Sequence, residues 1–395
     1  MTIIPTLNPA LPIPPGVGSI IADLLTIAAN NPGSDIATVV AALSALPNAA
    51  AIAAALLQFN PIVDNALPRM SFEAAQQFQQ LWALHMTNGR CIYAQECDEC
   101  CDIPCCTDAD CDCDSVCNYW EVWADGFGFW GHQQKHHGFN NYSSDLYGGM
   151  VGFQGPITQE LSAGLGGGYA HTKVDRPRHN DSTINTYNGT IYLSYNPTYW
   201  YLDAVFSFDY NKYEDERHIK FPGIDRKARA DYGGQQYTGL LAAGYRFYSW
   251  CYIFTPLASL QYSHLNVNRY HEHGAGDLNL HVNNQHYNFL ESSLGVKVAR
   301  PIQTRSGVFV PEVHALWLHD FFSNSMDLST TFSGVAAQTG SFKTKGPGFP
   351  RNLGDVGVGI TYISCCGLGV EAVYNYQFGK KWHANEAFVQ ISQRF

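Results

Sequence analysis

The sequence predicts an all-β fold: a closed antiparallel transmembrane β-barrel of about twelve strands, with an N-terminal α-helical segment threading or plugging its lumen. Three observations carry that expectation. The palette is one of strands and turns, with 13% aromatic residues and 36 Gly, and with 23 Tyr against 5 Met. Only 14% of residues are charged, well under the roughly 25% of an average soluble domain, so much of the surface is expected to face something other than water. From Asn118 onward apolar residues recur with period two over runs of about ten residues, longer than the five or six usual in soluble sandwiches. The net charge of -11, with no basic patch, excludes nucleic acid as a partner.

Residues 1–68 read as a Pro/Ala-rich N-terminal region with short helices. Within Met1–Pro32, "NPALPIPPGVG" suggests an extended linker. Ile36 to Phe59 is uncharged and long enough for a membrane span, but Pro47 and Asn48 in its middle divide it into two short helices. No Lys or Arg precedes Arg69, so there is no charged start of a secretory signal, and export would require a longer precursor. Residues 69–89 predict one helix. Ser71 is its expected cap, Phe78, Leu81, Trp82 and His85 share a face, and Gly89 ends it. Ser71 to Thr87 would measure roughly 25 Å.

Residues 90–117 form an acidic, cysteine-rich insert holding Cys91, Cys97, Cys100, Cys101, Cys105, Cys106, Cys111, Cys113 and Cys117. Residues 118–395 carry the barrel. Its strands centre near Ala124, Val151, Leu165, Ile191, Ala204, Leu241, Ser259, Leu294, Ala315, Gly359, Ala372 and Val389. Arg246, Glu291, Lys297 and Glu312 fall on the polar face and are expected to line the lumen. Short connections such as "GPIT", "NPT", "YSW" and "CCG" alternate with long polar ones such as "HQQKHHGFNN", "NKYEDERHIKFPGIDRKARAD" and the stretch from Ser323 to Asn352. In membrane barrels the short turns face the periplasm. Cys251, Cys365 and Cys366 lie in short turns, so all twelve cysteines are expected on the periplasmic side, as disulfide candidates. Cys97 and Cys100 also have the C-x-x-C spacing of a zinc site, and interleaved Asp could add ligands; adjacent cysteine pairs and an oxidising compartment favour disulfides. The insert's odd number of cysteines leaves pairing within the chain and pairing to another envelope protein both open.

His132, His136, His137, His271 and His273 fall in expected outer loops without ligand spacing and read as solvated. No G-x-S-x-G, H-E-x-x-H, P-loop or triad is evident, so neither an enzyme nor a cofactor is expected. "GLGGGYA", Gly164 to Ala170, reads as room for the threaded helix.

The final strand "NEAFVQISQRF", with Phe395, Ile391, Val389 and Ala387 on one face, resembles the terminal signal read by the bacterial barrel-assembly machinery. "WEVWADGFG", "LYGGMVGFQGPI", "LSAGLGGGYAHT", "YTGLLAAGYRF", "LESSLGVKVA" and "LGVEAVYNYQFGKKW", in that order, resemble the translocator domain of autotransporters. "ALPRMSFEAAQQFQQLWALHM" looks like that family's barrel-threading helix. The similarity runs from Leu67 to Phe395 apart from the cysteine insert, and the cysteine-rich character resembles the polymorphic membrane proteins of chlamydiae. The resemblance implies an outer-membrane anchor that exports its own N-terminal passenger, of which residues 1–68 would be a remnant. It implies outer-membrane lipid, the assembly machinery and disulfide-linked envelope proteins as partners. A cross-linked structural barrel or a small porin is the alternative. Asn88, at the helix end, has no family cleavage motif beside it.

Overall fold

The computed structural model describes residues 17–62, 65–88, 119–135, 141–177, 180–322, 327–334, 341–348, 350–364 and 366–395. Twelve long antiparallel strands form the barrel: β1 (Glu121–Gln133), β2 (Tyr142–Pro156), β3 (Leu161–Asp175), β4 (Ser182–Tyr195), β5 (Trp200–Phe221), β6 (Ile224–Tyr245), β7 (Tyr252–Val267), β8 (Gln285–Ala299), β9 (Gly307–Asp320), β10 (Asn352–Ser364), β11 (Leu368–Gly379) and β12 (Trp382–Arg394). Each expected strand centre falls in one of them. β1 closes on β12 in continuous register from Glu121 opposite Arg394 to Gln133 opposite Trp382. Beyond it, the backbones of Trp120 and Phe395 exchange hydrogen bonds of 3.0 and 2.9 Å. Closure leaves no strand edge unpaired, which is what a sheet in hydrocarbon needs.

Side chains alternate as the period-two stripes require. Val151, Leu165 and Ile191 point outward and are about three-fifths exposed (61%, 61% and 59%), while Thr190, Gln236 and Gln377 are buried inside. Outward aromatics gather in two belts. Trp120, Phe153, Tyr199 and Trp250 lie toward the end where β1 begins and β12 finishes, the near end; Trp130, Tyr147, Tyr187 and Trp317 lie toward the far end. Trp120 to Trp130 is ten residues along a tilted strand, an axial rise of roughly 26 Å. That matches the apolar band of an outer-membrane barrel. The near-end connections are all short; the long ones lie at the far end, which also holds the tight turns from β5 to β6 and from β11 to β12.

Two sequence expectations are corrected at the far end. The polar run from Asn211 to Asp231 is not a loop: β5 and β6 stay paired as far as Phe221 opposite Ile224, with Gly223 at φ 87° in the turn. Both strands are 22 residues long. Their outer part carries Lys212, Glu214 and Asp231 outward into water, so the apolar period that marks a lipid-facing strand is lost there. Residues 17–30, part of the expected linker, are likewise not extended, and residues 35–56 are the two short helices expected on either side of Pro47 and Asn48. They form α1 (Val17–Asn30), α2 (Asp35–Ser44) and α3 (Ala49–Leu56), with Ser34 and Asn48 capping the last two. These helices pack on the β5–β6 hairpin and on a small sheet of strands Tyr270–His271, Leu280–Val282, Asp327–Phe332 and Ser341–Lys345. The result is a cap with its own core, including Ile36, Val39, Leu56 and Phe59 against Ile219, Leu280 and Phe332.

The next helix, α4 (Ala66–Asn88), begins before Ser71. Pro68 lies in its first turn, where a missing N–H costs nothing, and Arg69 N–H bonds to Asn65 O at 3.0 Å. Ser71 is therefore inside the helix and not its cap; its hydroxyl bonds to Leu67 O at 3.0 Å. At 23 residues the helix is roughly 34 Å long. His132 also departs from expectation, lying on β1 and not in a loop, while His271 is in a cap strand and His273 bridges Arg229 through backbone bonds of 2.9 and 2.8 Å. His136, His137, Gly89, Cys365 and the whole insert Cys91–Cys117 lie outside the described residues.

Candidate functional site: the threaded lumen

A helix in a barrel lumen must satisfy polar walls with its own side chains, and α4 does so with a run of Gln and Arg between aromatics. Its first turn sits at the far end. Asn65 Nδ2 donates to Gly348 O at 3.1 Å and Tyr142 Oη donates to Asn65 Oδ1 at 3.3 Å. Arg69 pairs with Glu73 one turn on and lies over the rings of Phe289 and Trp382, at 5.7 and 5.4 Å. Phe72 stacks on Phe289 with centroids 5.1 Å apart, and Ser71 meets Tyr213 Oη at 2.8 Å.

Midway, Gln76 Nε2 donates to Glu291 Oε1 at 3.2 Å and Gln79 Nε2 to Ser207 Oγ at 3.1 Å. Phe78 meets Phe127 edge-on at 5.2 Å and occupies the space over Gly168, where a Cβ would come within 2.6 Å of its ring. The "GLGGGYA" segment thus gives the helix room at Gly168, although Gly164 makes room for Tyr192 instead. Toward the near end Trp82 packs on Trp123 and Tyr192 at 4.7 and 4.4 Å. His85 is buried between Asp125 Oδ2 at 2.6 Å and Gln390 Nε2 at 2.7 Å, with Trp123 stacked 4.0 Å away. Phe78, Leu81, Trp82 and His85 share the buried face that helical spacing indicated.

The helix leans on β2 to β5. Across from it remains a cavity of about 210 Å³ with a mixed lining, in which Gln79, Gln261, Glu291, Lys297, Glu312 and Asn375 stand among Leu and Ala side chains. Lys297 Nζ and Glu312 Oε2 form an ion pair of 2.5 Å across adjacent strands. Glu291, Lys297 and Glu312 therefore stand in the lumen wall, Glu291 alone of the three bonding the helix in the contacts above. Arg246 stands apart from them at the near rim, donating to Thr198 O at 3.0 Å and lying over Tyr201 at 5.6 Å. Its partners belong to the turn before β5, so it ties two connections together. Cys251 and Cys366 occupy near-end connections, and Val389, Ile391 and Phe395 face outward near the closing seam. Sequence reasoning missed Arg69, Glu73, Gln76 and Asp125. The i,i+4 spacing of Arg69 and Glu73 was a readable signal; the barrel partners were not.

The cap is bound to the barrel by charge as well as by its core. Arg226 donates to both oxygens of Asp35, at 2.7 and 2.5 Å, and Asp277 N–H adds a bond of 3.0 Å. The Arg226 hydrogen bond holds the Asp35 carboxyl below its usual range. Arg217, buried, pairs with Glu272 at 2.5 Å and donates to Gln58 O at 2.8 Å. The chain thus runs from the far-end cap through the lumen to the near end, where β1 starts.

The "autotransporter beta-domain" family profile matches residues 122–383. Outer membrane protein A of Rickettsia rickettsii is 29% identical over 276 residues, covering 67% of this chain and 12% of that protein. An extracellular serine protease of Serratia marcescens is 22% identical over 200 residues, covering 51% of this chain and 19% of that protein. The chain thus spans a small part of the curated relatives it matches. Among solved structures, the translocator domain of autotransporter NalP from Neisseria meningitidis superposes with a TM-score of 0.61 at 15% identity, covering 84% of this chain and 99% of that one. The beta domain of the Bordetella autotransporter BrkA gives 0.54 at 16% identity, covering 70% and 100%. These two share the fold. With its family profile spanning most of a twelve-stranded closed barrel, the chain belongs to the autotransporter beta-domain family.

Proposed function

We propose that this chain anchors and exports an N-terminal passenger across the bacterial outer membrane by type V secretion. One observation carries the reading: a single continuous chain passes from a folded cap at the far end, down the lumen as α4, to the near end. That is the path left by a polypeptide drawn outward through its own pore. Closed backbone pairing suits the barrel to lipid, and the lumen polarity suits it to a peptide. The rickettsial outer membrane proteins support the location, and give no support to a narrower chlamydial type. The serine protease relative takes its name from a protein of which the match is 19%, so that activity is not carried to this chain.

Two finer parts complete the reading. The insert Cys91–Cys117 lies in the periplasm beside Cys251, Cys365 and Cys366 and joins them in disulfides, within the chain or to envelope proteins. Phe395, Ile391 and Val389 engage the assembly machinery. Near-end placement of Cys251 and Cys366 supports the first, and the outward apolar face of β12 the second.

The test is an epitope inserted between Pro32 and Gly33, in the turn before α2, compared with one between Arg305 and Ser306 in a near-end connection. Antibody should stain intact cells for the first and only permeabilised cells for the second. Staining of the second on intact cells would reverse the topology and end the proposal.

A further inference from the structure

Above the far belt, four strands set a row of metal-ligating residue types side by side. His271, in the cap strand Tyr270–His271, lies directly opposite His281, in the cap strand Leu280–Val282. Beside them Glu272 N–H bonds to Leu280 O at 2.9 Å, so 271/281 is the following, non-hydrogen-bonded pair of the ladder, the kind that brings side chains closest. The two imidazoles meet edge to face with centroids 4.1 Å apart. They point away from the cap core, since Leu280 and Val282 are buried on the other face and Glu272 there bonds the buried Arg217. The third strand is β6. Its Arg229 exchanges backbone bonds of 2.9 and 2.8 Å with His273, and further along the same strands Tyr232 stacks on Tyr270 with centroids 4.0 Å apart. These contacts bracket Asp231 and His271, which therefore stand side by side, and both are exposed. On the fourth strand, β5, exposed Glu214 is directly opposite Asp231.

Two carboxylates set directly opposite each other destabilise a sheet, and a cation between them removes that cost. The nearest cations of the hairpin are engaged elsewhere: Lys227 and Arg229 both bond Glu216, at 2.5 and 2.9 Å. Two imidazoles with a carboxylate are a donor set for a borderline divalent transition ion, zinc above all. Nitrogens bound to a tetrahedral ion at about 2.0–2.1 Å stand roughly 3.3 Å apart. Imidazoles with centroids 4.1 Å apart reach that spacing by turning their edges toward a common point. We propose that His271, His281 and Asp231 bind a zinc-type divalent ion, with Glu214 adding negative charge from the next strand. Burial, and His271 beside it, hold the His281 imidazole below its usual pKa, which favours the neutral form that ligates a metal.

Among the described residues no three such side chains already converge on one point. The imidazole pair is the fixed part of the site, and the exposed Asp231 side chain turns between rotamers to complete it. Lys212 and Arg269, one step nearer the barrel body on the same face, are the positive charges against which the ion binds. Once bound, the ion staples the β5–β6 hairpin to the connection between β7 and β8, whose residues Leu278, Leu280 and Val282 belong to the cap core. Spacing along the chain hides this set, because only the sheet brings its members together.

The experiment adds Zn²⁺ alone to the full chain in detergent micelles, with free thiols alkylated so that cysteines do not take the metal. Hydrogen exchange is read by mass spectrometry over the strands Tyr270–His271 and Leu280–Val282. With free Zn²⁺ at about ten times its dissociation constant, protection there should rise about tenfold. The rise should vanish in His271→Gln and in His281→Gln, and should need about tenfold more Zn²⁺ in Asp231→Asn. No rise in the native chain overturns the proposal whether or not the variants fold, and so does an equal rise in a folded His281→Gln. Unchanged Zn²⁺ dependence in Asp231→Asn would overturn the three-ligand site. The same rise with Mg²⁺ in place of Zn²⁺ would assign the effect to carboxylate charge alone and refute an imidazole site.

Discussion

His85 illustrates how a single side chain fixes the helix at the near end. It has no accessible surface and stands between Asp125 at 2.6 Å and Gln390 at 2.7 Å. His85→Ala would leave the buried Asp125 carboxyl without its hydrogen-bond partner, a loss of roughly 1–3 kcal/mol. The expected result is a lower urea midpoint for the barrel, largely restored in the double variant His85→Gln, Asp125→Asn, where a pair of amides replaces the imidazole and carboxyl. An unchanged midpoint in His85→Ala would show that the pair contributes nothing to holding α4. The helix face bearing His85 was legible from spacing alone. Its partner was not, because Asp125 is forty residues further on, across the cysteine insert, and only the seating of the helix in the barrel joins them.

At the scale of elements, legibility followed the solvent. Strands wetted by lipid on one side and by the lumen on the other show period two, and all twelve centres were readable from it. Where β5 and β6 rise above the far belt, both faces are polar and the pattern fades, so paired strand looked like loop. The cap strands of two to six residues are too short to show any period. The cap's hold on the hairpin makes a pH prediction. The Asp35 carboxyl is held below its unfolded value of about 3.9, so its contribution is complete above that value and is lost as pH falls through the folded one. Hydrogen-exchange protection of α1 to α3 should therefore fall between about pH 4 and lower values. The pair is partly exposed, so the drop should be no more than about fivefold. Asp35→Asn should show the reduced protection already at neutral pH and lack the acid step. Equal protection in the variant at neutral pH would mean that the apolar core alone docks the cap.

For the whole molecule, the decisive question is whether the lumen is filled or open. α4 occupies one side and a cavity of about 210 Å³ remains on the other, so the intact chain should give small conductance in a planar bilayer. Deleting residues 17–88 should raise it several-fold. Equal conductance in the two would place the helix outside the pore and revive the porin alternative. The all-β class, the strand count and the presence of a threading helix were legible because membrane, strand and helix each impose a period. The cap was not, because its contacts join residues 17–62 to strands some two hundred positions away, as Asp35 to Arg226 shows.

The continuous path through the pore has a mechanical consequence. Tension on the far-end side of α4 would run along the helix axis, parallel to the barrel. The bonds of Asn65, Gln76, Gln79 and His85, spread over the length of the lumen, would then be sheared together and not peeled one by one. Such an arrangement resists force far better than its individual bonds suggest. Anything joined to the far-end cap is tethered to the barrel by the full depth of the pore.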